Sequence, residues 1–169
     1  MTSGDNVGLV AYGRRIQHRL APGRGAAHLR SLTEALAQVR AEPVEADHAA
    51  AAAALRGGQK RRALVVWMTE VAETAGVPDV IEYASHLVPR HVLVFATMRQ
   101  PEIAAVTALH PTSAIDMYRV VAAQEASDRR EALLRGLRQR GALVVEASPG
   151  DLSTGLVDRY LEVKERGMV

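Results

Sequence analysis

One short segment limits the possible folds of this chain more than any other: residues 63–68 form an apolar, β-branched run that stops abruptly at Thr69 and Glu70. Consecutive apolar residues of this kind are typical of a strand buried on both faces of a parallel sheet. In open α/β sheets, ligands bind just beyond the carboxyl ends of the strands. The run therefore predicts a central parallel strand, and it places Thr69 and Glu70 at the functional edge of the sheet.

Four other segments are short, apolar and bounded by glycine, proline or charge, which is typical of strands. They lie at residues 7–12, 15–20, 91–96 and 142–146. Apolar residues at helical spacing fill most of the intervals and predict helices at residues 28–40, 47–56, 80–87, 102–109 and 114–140. A final helix is expected behind a cap at Ser153 or Thr154. This alternation predicts a single α/β domain over residues 1–169, with three layers and a mostly parallel sheet.

The first two strands are expected to differ from the rest. The link between them is too short to hold the helix that joins parallel strands, so the pair should be an antiparallel hairpin. Arg15, Gln17 and Arg19 alternate along the second strand. This is the pattern of a solvated strand at the edge of a sheet, where charge discourages aggregation.

Composition excludes several classes of function. The chain has no cysteine, so disulfides, thiolate catalysis and zinc–sulfur sites are ruled out. A net charge of +2 is too small to indicate nucleic-acid binding, and no apolar run approaches the ~20 residues of a membrane helix. With 48% hydrophobic and 24% charged residues, and no signal-peptide core, the chain is expected to be globular and cytoplasmic.

Arginine supplies almost all of the positive charge. Five arginines are spread among acidic residues on the predicted long helix: Arg129, Arg130, Arg135, Arg138 and Arg140. Such a mixed surface is interpreted as solubilising, with docking of an acidic partner as the alternative. The basic cluster at residues 60–62 lacks the interleaved aromatics of a nucleic-acid site, so no nucleic acid is expected as a partner.

Four segments, taken in order, resemble one bacterial family. They are residues 4–13, 20–25, 64–70 and 156–164, which read GDNVGLVAYG, LAPGRG, LVVWMTE and LVDRYLEVK. The family is domain of unknown function 58, whose members are similar to von Willebrand factor A domains and are typically encoded beside AAA ATPases of the MoxR type. The resemblance implies a von Willebrand factor A-like (Rossmann-like) fold. It also implies a protein-interaction module that works with such an ATPase in the assembly or maturation of protein complexes.

Domains of that family usually begin with a central strand ending in Asp-x-Ser-x-Ser, followed by a helix. Only residues 1–3 precede the matching segment, so the first strand and helix are expected to be missing. The missing strand would lie between the strands at residues 7–12 and 63–68. Main-chain groups left unpaired along a buried edge would cost roughly 1–3 kcal/mol each. Three arrangements are open: the flanking strands pair directly, another chain donates a strand, or the polypeptide is a fragment, which we favour.

The resemblance also implies a divalent-cation site at the carboxyl ends of the strands, where such cations prefer oxygen ligands. The loop that would supply its first aspartate and serines is absent. Its threonine position matches Ala46, and its last aspartate position matches Glu70. Asp47, Thr69 and Glu70 are left as a degenerate site at which Mg²⁺ would bind weakly. In the simpler interpretation Asp47 caps a helix, Thr69 ends a strand and Glu70 caps a turn.

No residue is assigned as catalytic. The histidines lack the spacing of H-E-x-x-H, and no serine lies in a Gly-x-Ser-x-Gly elbow. The favoured function is protein interaction, without a cofactor. The alternative is a metal-assisted hydrolase or phosphoryl-transfer domain using Asp47 and Glu70, an analogy based on fold alone. Metal-dependent turnover that Glu70→Gln abolishes would identify it.

Overall fold

The computed structural model describes residues 4–70 and 77–169, which form five strands and six helices. The chain divides into two compact units, Met1–Lys60 and Arg61–Val169. The first unit contains β1 (Val7–Tyr12), β2 (Ile16–Gly23), α1 (Ala26–Gln38) and α2 (His48–Gly58). The second contains β3 (Leu64–Met68), α3 (Val77–Leu87), β4 (Val92–Met98), α4 (Pro101–Thr107), α5 (Ala114–Gln139), β5 (Leu143–Ala147) and α6 (Leu152–Glu165). Across the described ranges, no helix is both long and apolar enough to cross a membrane.

In the first unit, β1 and β2 form the expected antiparallel hairpin, with Val10 opposite Arg19. Helix α1 is attached to it through His28, whose Nε2 donates to the Val7 carbonyl at 2.6 Å. The imidazole lies so close to Gly23 that a Cβ there would come within 2.7 Å of His28 Nδ1. Glycine at the end of β2 therefore makes room for this contact. The buried residues of α1 are Leu32 and Ala35, whereas Leu29 and Leu36 are exposed.

The segment between α1 and α2 lies along the hairpin turn and is hydrogen-bonded to it. The Gln17 side chain donates to the Arg40 carbonyl and accepts from the Arg40 N–H, both at 2.9 Å. Glu42 Oε2 accepts from the Arg14 N–H at 3.0 Å. The Asp47 N–H donates to the Gly13 carbonyl at 2.8 Å. A Cβ on Gly13 would lie 2.4 Å from Glu42 Oε2, so a side chain there would displace the Glu42 carboxylate from its contact with the Arg14 N–H.

The second unit is built on a parallel sheet of order β3-β4-β5. Its centre is β4, in which Val92 through Thr97 are buried. The expectation that residues 63–68 form the central, doubly buried strand is therefore wrong. Among the described strands, β3 pairs with β4 alone, and its Val66 and Met68 are 41% and 59% exposed. Burial of an apolar run depends on its partners, which the run itself does not specify.

Helices cover both faces of this sheet. On one face Val94, Ala96 and Val145 pack against Leu152 and Leu156 of α6. Side chains alternate along a strand, so Leu93, Phe95 and Thr97 point to the opposite face. That face meets α5, whose Leu133 and Leu137 are almost fully buried, and the Phe95 ring makes an edge-to-face contact with Trp67. Trp67 therefore packs in the core.

The expectation of one sheet is not met, because the described residues form a two-stranded antiparallel sheet and a separate three-stranded parallel sheet. Strands β1 and β3 thus belong to different sheets, and direct pairing of these two strands is not observed within residues 4–70. The positions of the strands follow from local apolarity, whereas their pairing depends on contacts between segments distant in sequence. A mixed α/β architecture is confirmed, and the von Willebrand factor A-like classification stays a prediction.

The start of the last helix also differs from expectation. Ser153 and Thr154 lie inside α6, and Asp151 occupies the N-cap position. The turn before the helix is closed by Ser148, whose hydroxyl donates to Asp151 Oδ2 at 2.6 Å and accepts from the Asp151 N–H at 3.3 Å. This Ser-Pro-Gly-Asp turn begins the helix earlier than a cap at residue 153 would.

Candidate functional site

The carboxyl ends of β3, β4 and β5 meet at one edge of the parallel sheet. The hydrogen-bond ladder continues past the strands, since the Thr69 N–H donates to the Ala96 carbonyl at 3.2 Å. The Arg99 N–H likewise donates to the Ala147 carbonyl at 2.9 Å. The polar residues that follow the three strands therefore lie along the same edge of the sheet, which is the position predicted for Thr69 and Glu70 from the sequence.

The Glu70 side chain is hydrogen-bonded to the segment that follows β4. Gln100 Nε2 donates to Glu70 Oε1 at 2.9 Å, and both side chains lie at the surface. Thr69 Oγ1 is 3.4 Å from the Glu70 carbonyl, the outer limit of a hydrogen bond. Gln100 precedes Pro101 at the start of α4, and no sequence pattern indicates its contact with Glu70. Residues 71–76, which follow Glu70, lie outside the described residues.

Asp47 belongs to the first unit, whereas Thr69 and Glu70 belong to the second. It occupies the N-cap of α2, where its Oδ1 accepts from the Ala50 N–H at 2.8 Å. This is the capping role considered for it in the sequence. Over the part of the chain that the structure describes, no group of three His, Asp or Glu side chains is arranged to hold a metal ion. Weak Mg²⁺ binding at Asp47, Thr69 and Glu70 stays a prediction.

The most interconnected polar group at the sheet edge is centred on Arg130 of α5. Its Nε lies 3.0 Å from Glu146 Oε1, and its Nη2 donates to Thr97 Oγ1 at 3.3 Å. Nη2 also donates to the Met98 carbonyl. The side chains of Arg130 and Glu146 are only 17% and 31% exposed. One guanidinium thus joins α5 to the ends of β4 and β5.

Arg130 therefore differs from the neighbouring arginines with which the sequence grouped it. Arg129 and Arg135 form exposed ion pairs with Glu125 and Glu131 along α5, as a mixed solvent-facing surface should. Arg130 instead reaches across to two strands. The spacing of charges within a helix cannot reveal such a contact, because Glu146 and Thr97 come from other elements.

A group of exposed apolar side chains on α5 was not singled out from the sequence. It comprises Met117, Tyr118 and Val121, with exposed fractions of 58%, 78% and 51%, and we call it the α5 stripe. At about 100° per residue, Met117 and Val121 lie about 120–160° around the helix from Leu133 and Leu137, which face the sheet, whereas Tyr118 lies about 60–100° from them. The sequence pattern that could have indicated this surface is a set of large apolar residues at positions i, i+1 and i+4 on a mostly polar helix.

Two histidines, His48 and His91, lie in defined local environments. The Tyr12 hydroxyl and His48 Nδ1 are 3.1 Å apart, and the two rings are in edge-to-face contact. His91, which precedes β4, is 3% exposed, and its Nδ1 is buried with no hydrogen-bond partner among the described residues. Burial lowers the pKa of His91 below its usual range, and the nearby guanidinium groups of Arg90 and Arg62 lower it further.

We expect the second unit to lose stability as the pH falls below about 6.5, the pKa that His91 regains on unfolding. The unfolded state then binds the proton more readily than the folded state, so protonation favours unfolding. The loss should not exceed about 1.4 kcal/mol per pH unit for this single group. Urea denaturation followed by Trp67 fluorescence at pH about 7.5 and about 5.5 measures it.

In this experiment His91→Gln should show a smaller loss than the wild type, because glutamine does not titrate in this range. His86→Gln, a change at an exposed position of α3, should keep the full loss. Equal pH dependence in His91→Gln and the wild type would show that another group is responsible.

Comparison with known families gives one match. The model of the family described as "Protein of unknown function DUF58" matches residues 1–137. The matched region includes β1 through β4 and most of α5, and thus Thr69, Glu70, Arg130 and the α5 stripe. No curated protein and no solved structure matches the chain significantly.

Proposed function

The chain belongs to the DUF58 family, and on this basis we propose that it is a protein-interaction module that works with a MoxR-type AAA ATPase in the assembly or maturation of a protein complex. The observation that carries the proposal is the α5 stripe. Large apolar side chains grouped on a surface are characteristic of sites where proteins meet.

The composition of the stripe and its surroundings supports this role. Fully burying a large apolar side chain contributes about 1.5–3 kcal/mol, so burial of these three residues would offset part of the cost of forming a complex. The next turns of α5 carry Glu125, Asp128 and Arg129. Interfaces commonly combine an apolar centre with a polar rim of this kind. Tyr118 is well suited to the centre, because its ring is large and its hydroxyl can remain hydrated.

We expect the double variant Tyr118→Glu, Val121→Glu to lose at least about tenfold in affinity for the ATPase, since two carboxylates would have to be desolvated at the interface. The measurement is capture of a purified MoxR-type AAA ATPase on the immobilised protein, followed by titration. Ala132→Glu is the control for an added carboxylate on α5, because Ala132 is exposed further along the same side of the helix. This control should bind like the wild type.

Two results would contradict the proposal in different ways. If the wild type does not bind the ATPase in any nucleotide state, the proposed partner is wrong. If the double variant binds as tightly as Ala132→Glu, the ATPase is a partner but does not use the α5 stripe.

A further inference from the structure

An open groove of about 540 Å³ runs between β5 and α6 in the second unit. Its volume is within the ~300–1,000 Å³ usual for ligand clefts. One wall is β5, from Val144 to Ala147, and the other is a side of α6 that includes Thr154, Asp158 and Glu162. The helix approaches the strand closely at Gly155, where a Cβ would lie 3.3 Å from Val145 Cγ1.

The strand wall presents main-chain groups that are open to pairing. Among the described strands, β5 pairs with β4 alone, so its other edge faces the groove. The Ala147 carbonyl accepts from the Arg99 N–H, on the side of β4. Main-chain groups alternate sides along a strand, so those of Val144 and Glu146 point away from β4. An extended segment lying in the groove would meet their N–H and C=O groups.

The groove is acidic. The carboxylates that line it are Glu146, Asp151, Asp158 and Glu162. The guanidinium that lines it is Arg159. Glu146 is engaged by Arg130, and Glu162 is engaged by Arg159 and Arg166. Asp158 is exposed and has no ion-pair partner in the described chain, and Asp151 accepts only from neighbouring Ser148. The uncompensated charge therefore lies on the α6 wall, opposite the open strand edge.

We propose that this groove binds an extended, basic peptide segment, which adds to β5 as a further strand. Main-chain hydrogen bonds to Val144 and Glu146 would supply affinity for any extended chain, as in other cases of strand addition. Alternate side chains of the segment would face α6, where lysine or arginine would meet Asp158 and Asp151. The inference rests on the proposed interaction function and specifies a second surface for it, separate from the α5 stripe.

The test uses a fluorescein-labelled peptide of alternating Lys and Thr, about eight residues long so that it exceeds the length of β5. Fluorescence anisotropy at about 50 mM salt measures its binding to the full chain. Two peptides of equal length serve as controls. A Lys-Pro peptide keeps the charge but lacks half of the N–H groups, so it cannot pair as a strand. A Glu-Thr peptide keeps the strand propensity but reverses the charge.

Asp158→Lys should weaken binding of the Lys-Thr peptide about tenfold, because it reverses the unpaired charge in the groove. Glu165→Lys is the matched control, with the same charge change at the exposed end of α6, outside the groove lining. This control should change the affinity less than about twofold. The Lys-Pro and Glu-Thr peptides should bind at least about tenfold more weakly than the Lys-Thr peptide.

The proposal is overturned if the Lys-Thr peptide does not bind, if the Lys-Pro peptide binds as tightly, or if both lysine variants weaken binding equally. Failure of the groove is distinguishable from failure of the proposed function. If the protein captures the ATPase but does not bind the peptide, only the proposal about the groove is wrong. If it binds the peptide but does not capture the ATPase, only the proposed partner is wrong.

Discussion

Replacing Phe95 with alanine should lower the free energy of unfolding of the second unit by about 3–5 kcal/mol. Phe95 is 0% exposed in the central strand, and its ring lies 6.0 Å from that of Trp67. The substitution removes a large apolar side chain and leaves a cavity that the surrounding strands and helices cannot fill. A loss of this size is comparable with the whole stability of many domains, which is about 5–15 kcal/mol.

Urea denaturation followed by Trp67 fluorescence measures the effect, because the only tryptophan lies in this unit. Met68→Ala is the control, since Met68 is apolar but exposed on the adjacent edge strand. That change should cost less than about 1 kcal/mol. If both variants lost similar stability, β4 would not be the centre of the sheet.

Removal of the Arg130 guanidinium should have the next largest effect. We expect Arg130→Met to cost about 2–3 kcal/mol, because Glu146, Thr97 and the Met98 carbonyl would lose a donor at a site with limited access to water. The estimate lies below the ~3–5 kcal/mol of a fully buried pair, since both side chains retain some solvent contact. The measurement is again urea denaturation followed by Trp67 fluorescence.

The control for this prediction is Arg135→Met on the same helix. Arg135 forms an exposed pair with Glu131, and such pairs contribute about 0.3–0.5 kcal/mol. A double-mutant cycle with Glu146→Gln should give a coupling energy above about 1 kcal/mol for Arg130 and Glu146. Coupling close to zero would show that the two side chains do not stabilise the fold as a pair.

Local structure was largely predictable from the sequence. Strand β1 has the predicted bounds, and the ends of the other strands differ from prediction by at most three residues. Short apolar runs bounded by glycine, proline or charge carry this information within a few neighbouring residues. The hairpin was predictable for the same reason, because the length of a link decides which connections it can make.

Pairing between distant segments was not predictable. The runs at residues 63–68 and 91–96 look alike, yet only the second is central, because burial depends on which strands lie on each side. The same limit applies to the site. Asp47 could be recognised as a cap from its neighbours, whereas the contacts of Glu70 with Gln100 and of Arg130 with Glu146 join segments that no local pattern relates.

The segment between α1 and α2 has no helix or strand, yet the side chains of Gln17 and Glu42 tie it to the hairpin turn. The segment is consequently held against the hairpin along its length. Displacing α2 from the hairpin would therefore have to break these hydrogen bonds and the one between the Asp47 N–H and the Gly13 carbonyl.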